Sequence, residues 1–430
     1  MNFQESVDYL YGLGNEVLAM KLGLENIRKL LSALGNPEKK YLKIQIAGTN
    51  GKGSTVAFLE SICLQAGIKI GATTSPHLIS VTERVRIKGV DISEKEFAKL
   101  ATKVREISEQ LVEKGELETV PTYFEQVTAI ALLAFAENEV ELAILETGLG
   151  GRFDATTAAN AEIVAITPID LDHQRILGDT IAQIAAEKAA IIREDTKVVV
   201  SEQKTGALKV ILDKCREKNV VPIISSENEF NEKFPQIHLG LEGEHQKENA
   251  LTAINLAEIL VKDFKYNISQ AAIEKGLETA KHKGRLEWTE FENVKFLFDG
   301  AHNVSGAQAL RKYLETIGGN FTLVFGAMKD KDLTEIAEIL FPQAEDIIFT
   351  KADNPRSMDI KGLAEYAEKI VDKSKIFTVE NVADALDSAI QINSTYPATK
   401  LNFVCVTGSL YLVGEAQNVL ENQIKKAKGF

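Results

Sequence analysis

Cysteine and tryptophan are scarce in this chain, which has three cysteines and one tryptophan among its 430 residues. The cysteines, Cys63, Cys215 and Cys405, lie far apart and show none of the close spacings that are typical of zinc sites or disulfide frameworks. We therefore expect each of them to be a buried core residue in a protein of a reducing compartment.

Long apolar runs and an excess of positive charge are also missing. No stretch is apolar enough to span a bilayer, and the N-terminal segment MNFQESVDYLYGLG mixes charged with apolar residues, unlike a signal or transit peptide. The sequence therefore predicts a cytoplasmic protein. The net charge of -13 argues against nucleic acid or an anionic membrane as the main partner, although a local basic pocket could still bind a small anion.

Short β-branched runs alternate with stretches of helical periodicity, a pattern that indicates strand–helix–strand units and parallel sheets. We predict two doubly wound α/β domains, covering residues 1–288 and 295–430, with the boundary near Trp288–Val294. The predicted strands fall into an early and a late set: Leu42–Ala47, Ile68–Thr73, Leu142–Glu146, Ile163–Thr167 and Lys197–Ser201, then Lys295–Asp299, Phe321–Phe325, Asp346–Thr350, Lys375–Val379 and Asn402–Thr407.

Polar motifs follow four strands of the early set. They read GTNGKGST, TSPH, ETGLGGRFD and PIDLDH in chain order. Ligands of open parallel sheets bind at the carboxyl ends of the strands. We therefore expect the four motifs to converge on one site.

The segment Gly48–Thr55 joins a strand to a predicted helix that runs from Ser54 to about Gln65. Its glycines allow successive N–H groups to face phosphate oxygens at a helix N-terminus. Lys52 would neutralise the β- and γ-phosphates, and Ser54 or Thr55 would bind magnesium. The alternative interpretation is a glycine-rich turn with a surface lysine.

Three further side chains could surround a metal ion. Glu146 ends a hydrophobic strand beside the phosphate loop, where it could bind magnesium or cap a neighbouring helix. Ser75 could be a ligand, although a turn-capping serine is the simpler interpretation. His173 follows Asp170 and Asp172, and the sequence leaves a ligand and a structural role equally open.

Lys188 falls on the apolar stripe of a helix predicted over Thr180–Arg193, with Thr180 as its N-cap. Burial would lower the pKa of its amine, and a neutral amine can react with carbon dioxide to form an anionic carbamate. From the residues alone we favour a structural role, either as a snorkelling lysine, whose charged end reaches solvent, or as a partner for the neighbours of Glu187.

The later part of the chain offers weaker candidates for contacts to a nucleotide. Arg285 lies in GRLEW, and Asp299 and His302 lie in DGAHN. A helix that begins at His245 carries Asn249. Each of these groups could equally be structural.

Taken together, these motifs resemble the folylpolyglutamate synthase / dihydrofolate synthase family of the Mur-type ligase superfamily. The similarity runs nearly end to end. It includes AGTNGKGST, TSPHLISVTERVRIKG, PTYFEQVTAIA, ETGLGGRFDAT, DHQRILGDTIAQIAAEKA, GEHQKENA, GRLE, DGAHN, GAMKDKD and TGSLYLVGE.

The resemblance implies a P-loop-type ATPase domain with a parallel sheet, followed by a smaller Rossmann-like domain. It also implies a monomer that uses ATP, two Mg²⁺ ions and an acyl-phosphate intermediate to add L-glutamate to a folate or dihydropteroate. The resemblance further implies that Lys188 is carbamylated and that Lys52, Lys188 and His173 are catalytic. The implied metal ligands are Ser75, Glu146 and His173. The implied ATP contacts are Gly48, Thr49, Asn50, Gly51, Lys52, Gly53, Ser54, Asn249, Arg285 and Asp299. The implied substrate contacts are Thr122, Tyr123, Phe124, Glu125, Phe153, Asp154 and Ala155.

Two rival functions remain. The nearest is a cell-wall Mur ligase, which in this superfamily carries a further domain of on the order of 100 residues before the phosphate loop. Only 47 residues precede Gly48 here, so we expect that domain to be absent. The other rival is a nucleotide-binding module without ligase activity, whose nucleotide turnover would not respond to glutamate.

Overall fold

A computed structural model describes residues 1–14, 23–329, 331, 333–397 and 400–427. Asp330 and Asp332 of the motif GAMKDKD lie outside these ranges. The chain divides into two compact units, one comprising Met1–Gly240 with Gln246–Lys281 and the other Leu241–His245 with His282–Phe430. No helix in the described part of the chain is long and apolar enough to cross a membrane.

The first unit is built around a mixed sheet whose strands, among the described residues, follow the order β4-β3-β2-β5-β1-β6-β7-β8. The strands are β1 Leu42–Ala47, β2 Ile70–Thr73, β3 Arg86–Ile87, β4 Val90–Asp91, β5 Leu142–Glu146, β6 Ile163–Ile166, β7 Lys197–Val200 and β8 Ile223–Ile224. The helices are α1 Phe3–Gly12, α2 Glu25–Ala33, α3 Lys52–Gln65, α4 Glu94–Glu113, α5 Tyr123–Glu137, α6 Gln174–Leu177, α7 Ile181–Ala189, α8 Thr205–Glu217, α9 Glu227–Lys233, α10 Gln246–Phe264 and α11 Gln270–Thr279.

The strands β2, β5, β1, β6, β7 and β8 are parallel, and β3 and β4 form an antiparallel edge. All five residues of β5 are buried, which is the pattern of a central strand covered on both faces. The carboxyl ends of β2, β5, β1 and β6 are therefore neighbours, as the four polar motifs predicted.

The second unit contains a sheet of order β13-β12-β11-β14-β10-β9 among the described residues. The strands are β9 Glu287–Phe291, β10 Val294–Phe298, β11 Asn320–Phe325, β12 Asp346–Phe349, β13 Ile376–Thr378 and β14 Asn402–Thr407. The helices are α12 Val304–Ile317, α13 Thr334–Leu340, α14 Ile360–Ala367, α15 Val382–Asn393 and α16 Leu410–Ala427. Its core is rich in aromatic rings, among them the stacked pair Phe321 and Phe403, whose centroids lie 5.2 Å apart.

The ten predicted strands are all present, with ends that shift by at most two residues. The sequence analysis missed β3, β4, β8 and β9. The first three have two residues each, too few for an alternating pattern. The hairpin of β9 and β10 turns at Glu292 and Asn293, whose φ angles are 49° and 63°, and a Glu-Asn turn lacks the usual glycine signal.

The three cysteines are free and buried, which confirms their prediction as core residues. Burial raises the pKa of the Cys215 thiol to about 11, so this thiol stays protonated at neutral pH.

Candidate active site

The loop between β1 and α3 is shaped by two close backbone approaches. Gly51 has φ 82° and immediately precedes α3, and a Cβ at this position would lie 2.2 Å from Asn249 Oδ1. A Cβ at Gly48 would lie 1.8 Å from Thr167 Oγ1. Both positions therefore require glycine, and Asn249 of α10 lies against the loop as a neighbour of Gly51.

Lys52, the first residue of α3, folds back over this loop. Its ammonium group donates to the carbonyl oxygens of Gly48 at 3.1 Å and Thr49 at 3.2 Å. Ser54 and Thr55 follow in the first turn and are buried. The positive charge therefore lies at the helix N-terminus, an arrangement that favours anions.

A second lysine reaches the same carbonyl group from α7. This helix starts where Thr180 and Gln183 form a capping box, and it carries Lys188 in its last turn. Lys188 is only 4% exposed, and its Nζ donates to Gly48 O at 2.7 Å. The snorkelling interpretation is therefore wrong, because the amine points into the protein.

Burial lowers the pKa of the Lys188 amine to about 7, and the nearby charge of Lys52 acts in the same direction. The carboxylates of Asp172 and Asp154 oppose this shift. A substantial neutral fraction of Lys188 therefore exists at physiological pH, which is the condition for the amine to act as a nucleophile.

Two of the predicted metal ligands are brought together at neighbouring strand ends. Glu146 is the last residue of β5 and is buried, and the backbone N–H of Ser75 donates to Glu146 Oε2 at 3.1 Å. A carboxylate and a hydroxyl are hard oxygen ligands of the kind that Mg²⁺ prefers. The donor chemistry of this pair therefore fits magnesium.

His173 lies on the loop after β6 in a left-handed conformation, with φ 50°, and directly precedes α6. Its Nε2 lies 3.8 Å from Asp172 Oδ2, and its backbone N–H donates to Asp172 Oδ1 at 2.8 Å. The histidine is thus oriented by the same carboxylate that acts on Lys188. Among the described residues, no group of three or more His, Cys, Asp or Glu side chains is placed to share a metal ion.

The predicted substrate segment at the start of α5 has a clear local role. Thr122 and Glu125 form a capping box, in which each side chain accepts from the other's backbone N–H. Tyr123 stacks on Tyr11 of α1, with ring centroids 5.7 Å apart. Phe124 packs on the glycine loop after β5, because a Cβ at Gly148 would lie 2.5 Å from its ring.

The other predicted substrate segment divides into one exposed and two buried residues. Phe153 is 47% exposed, whereas Asp154 and Ala155 are buried. The Asp154 carboxylate accepts from the backbone N–H groups of Gly148 at 2.8 Å and Leu149 at 2.9 Å, and also from Thr156. Asp154 therefore shapes the glycine loop, and Phe153 is the residue of this segment with apolar surface available to a ligand.

In the second unit, Asp299 follows β10 and accepts from the backbone N–H groups of Leu286 at 3.0 Å and Ala301 at 2.9 Å. Burial raises the pKa of its carboxyl group, and the charge of Arg285 opposes that effect. His302 Nδ1 lies 2.7 Å from Gly300 O. Because a carbonyl oxygen can only accept, Nδ1 carries the proton and donates this hydrogen bond. Asp299 and Arg285 are thus electrostatically coupled at one strand end.

Sequence reasoning missed an ion pair next to Ser75. Arg86 of β3 donates to Glu60 of α3, with Nη2 to Oε2 at 2.7 Å, and its Nη1 donates to Thr74 Oγ1 at 3.0 Å. The pair ties the loop that carries Ser75 to the helix of the phosphate loop. A carboxylate within the apolar helical stretch FLESICL is the signal that could have found it.

Comparisons with known proteins identify the family of this chain. The model of the Mur ligase middle domain matches residues 46–257, and that of the dihydrofolate synthetase C-terminal domain matches residues 282–419. The dihydrofolate synthase/folylpolyglutamate synthase of Bacillus subtilis is 35% identical, over 97% of this chain and 99% of its own.

Solved structures are similar over the full length as well. Mycobacterium tuberculosis folylpolyglutamate synthase, complexed with ADP and AMPPCP, has a TM-score of 0.85 and 29% identity, over 96% of this chain and 99% of its own. A bifunctional folylpolyglutamate synthase/dihydrofolate synthase with Mn, AMPPNP and L-glutamate bound has a TM-score of 0.80 and 27% identity, over 100% and 98% of the two chains. This chain therefore belongs to the folylpolyglutamate synthase/dihydrofolate synthase family, the ATP-dependent ligases of the Mur ligase type.

Proposed function

We propose that this chain joins L-glutamate to a folate and to dihydropteroate, and that residues Gly48–Ser54 hold the triphosphate of ATP. The observation that carries the proposal is the meeting of Lys52 and Lys188 at the Gly48 carbonyl, beside the N-terminus of α3. The ammonium group of Lys52 at this helix N-terminus matches the negative charge of a triphosphate.

The proposed reaction has two steps. A carboxylate oxygen of the folate or dihydropteroate attacks the γ-phosphorus of ATP, the bond to the ADP oxygen breaks, and an acyl phosphate forms. The amine of glutamate then attacks the acyl carbon, phosphate leaves, and the nitrogen loses a proton as the amide forms. The part of Lys52 is to neutralise the negative charge that shifts onto the β-phosphate oxygens.

The residues that would hold Mg²⁺ are Ser75, Glu146 and His173, and the proposal includes a pair of ions. A bound divalent cation would supply charge neutralisation at the phosphates. The contribution of the chain is to hold the Glu146 carboxyl group next to the Ser75 N–H, and to orient His173 through Asp172.

Lys188 is proposed to carry a carbamate. The neutral amine attacks carbon dioxide, a C–N bond forms, and the nitrogen releases a proton, which leaves an anion on the lysine. The pKa of about 7 provides the neutral amine, and the burial of Lys188 protects the product from exchange with solvent. An anion at this position would offset the positive charge of Lys52.

Two surfaces of the first unit are proposed for the pterin end of the substrate. The first is the start of α5, Thr122–Glu125, and the second is Phe153–Ala155. Phe124 packs on the glycine loop at Gly148, and Asp154 accepts from N–H groups of that loop, so the two surfaces share one support. For the nucleotide we propose contacts from Asn249, and from Arg285 and Asp299 of the second unit, in a monomeric enzyme.

The test is ADP release by the purified chain, measured with ATP and Mg²⁺ and with glutamate present or absent. Dihydropteroate and tetrahydrofolate are offered separately, and we expect release to require glutamate with each of them. Release that ignores glutamate would favour a nucleotide-binding module. Release that requires a nucleotide-sugar peptide would favour a cell-wall ligase.

The variant that tests the phosphate loop in the same assay is Lys52→Ala, for which we expect turnover to fall by roughly a hundredfold or more. Thermal unfolding of the variant is measured in parallel, so that turnover is compared between folded proteins. Near-normal turnover of the folded variant would refute the assignment of the phosphate loop.

A further inference from the structure

The start of the phosphate loop is held by the segment that follows β6. The backbone N–H groups of Thr49 and Asn50 donate to Pro168 O at 3.0 and 3.2 Å. Thr49 Oγ1 also donates to Asp170 O at 3.1 Å and accepts from Asp170 N at 3.1 Å. The position of this part of the loop is therefore set by the position of residues 168–170.

The side-chain amide of Gln203 contacts the backbone of that segment, while Lys204 Nζ pairs with the Asp170 side chain at 2.7 Å. Gln203 Nε2 donates to Thr167 O at 3.1 Å and to Ile166 O at 3.3 Å, and Gln203 Oε1 accepts from Ile169 N at 3.0 Å. The strand β6 ends at Ile166, so two of these backbone groups lie beyond the strand ladder. The Gln203 amide thus continues the pairing of β6 where β7 has ended.

The chemistry of this contact is specific to an amide. The amide presents two N–H bonds and one oxygen to two carbonyl oxygens and one N–H, and the Ile166 carbonyl also accepts from the backbone N–H of Ser201 at 2.9 Å. A carboxylate of the same shape could accept but not donate, and a thioether could do neither. Glutamine is therefore the one ordinary side chain of this length that satisfies all three backbone groups.

We propose that Gln203 is a positioning residue of the phosphate loop, which acts through residues 166–170 on the placement of ATP. The inference rests on the proposed role of Gly48–Ser54 in holding the triphosphate. It deepens that role, because it assigns a function in nucleotide placement to a residue outside the sequence motifs. Small displacements of a reacting group are costly, since an error of about 1 Å can reduce the rate by roughly a hundredfold.

The test compares Gln203→Glu and Gln203→Met with the control Glu202→Gln, which alters the exposed neighbouring residue. For the two Gln203 variants we expect kcat/KM for ATP to fall by roughly tenfold to a hundredfold, with KM for glutamate within about twofold of the wild type. The thermal unfolding temperature of each variant is measured, so that kinetic constants are compared only between folded proteins. The control variant is expected to match the wild type in both constants.

A pH profile separates positioning from general loosening of the fold. A protonated carboxylic acid at position 203 can donate one hydrogen bond, so the deficit of Gln203→Glu relative to the wild type should narrow as the pH falls. The deficit of Gln203→Met should stay constant over the same range. Equal deficits with the same pH dependence would contradict the hydrogen-bonding argument.

The remaining outcomes are also decisive. If folded Gln203 variants bind ADP and use ATP as the wild type does, or if the constants for ATP and glutamate change equally, the positioning role is wrong. If Gln203→Glu, Gln203→Met and the shorter Gln203→Asn all fail to fold, the residue supports the whole unit and the proposal falls. Lys52→Ala tests the proposed role of Gly48–Ser54 separately from the role of Gln203. Unchanged affinity of that variant for ADP would refute the assignment of the phosphate loop.

Discussion

Replacement of Lys188 by methionine should make the protein more stable near neutral pH, although it removes a residue of the proposed active site. Lys188 is 4% exposed, and burial lowers the pKa of its amine from 10.5 to about 7. A shift of this size corresponds to about 5 kcal/mol of unfavourable free energy for burying the charged form. Methionine has a similar shape and carries no charge.

The sign of the pH dependence follows from the protons bound in each state. Below pH 7 the lysine is charged in the folded and the unfolded chain, so the wild type bears the full cost of burial. Between the pKa of about 7 and 10.5, the unfolded chain binds the extra proton, and the free energy of unfolding rises with pH. Above pH 10.5 the lysine is neutral in both states, so burying it no longer carries the cost of burying a charge.

The advantage of Lys188→Met should therefore be largest at pH 6 and should shrink by about 3 kcal/mol between pH 6 and pH 9. The lost hydrogen bond to Gly48 O subtracts only about 1 kcal/mol. That carbonyl keeps a donor, because Lys52 Nζ lies 3.1 Å from it.

Urea unfolding in buffers depleted of carbon dioxide measures the effect, with far-ultraviolet circular dichroism as the probe of both units. The single tryptophan, Trp288, lies in β9, so its fluorescence identifies the transition of the second unit. Lys43→Met is the matched control, because Lys43 is also 4% exposed but pairs with Glu162 at 3.0 Å, and its loss should destabilise. Parallel curves of stability against pH for the wild type and Lys188→Met would refute the reasoning.

Three further substitutions test the strand-end geometry. Gly51→Ala should weaken ADP binding by roughly tenfold in calorimetric titration, because its Cβ would strike Asn249 Oδ1 and its φ of 82° is unfavourable. Glu146→Gln should raise the Mg²⁺ concentration that gives half-maximal activity by roughly tenfold or more, whereas an unchanged value would exclude Glu146 as a ligand. Asp154→Asn should lower the free energy of unfolding by about 1–3 kcal/mol in urea, because backbone N–H groups face both carboxylate oxygens and the amide nitrogen cannot accept from those on its side.

Much of the fold could be predicted from the sequence, because the information lies in short buried runs. The stretch LAILE has no polar residue before its final glutamate, and it forms a fully buried central strand that ends at Glu146. The helix after Thr180 begins as predicted but ends at Ala189, before the predicted end at Arg193. The cytoplasmic location and the monomeric state stay predictions.

The rest of the site depends on contacts between residues far apart in sequence, for which local patterns carry no signal. Lys188 shows this most clearly. Its place on an apolar stripe is equally compatible with a lysine that reaches solvent and with one that is buried, and the choice depends on the Gly48 carbonyl, 140 residues away in sequence. The hydrogen bond between Thr49 and Asp170 could not be predicted for the same reason, because 121 positions separate the two residues in the sequence.

These distant contacts share a physical logic. The loop residues Gly48 and Gly51 have no side chains, so they cannot hold their own conformation, and neighbouring elements hold it for them. Lys188 donates to the Gly48 carbonyl, and Pro168 O accepts from the backbone N–H groups of Thr49 and Asn50. Because the backbone itself is the binding surface for phosphate, its rigidity must come from outside the motif. A substitution that leaves the glycine motif intact can therefore still impair nucleotide binding, provided that it removes one of these supports.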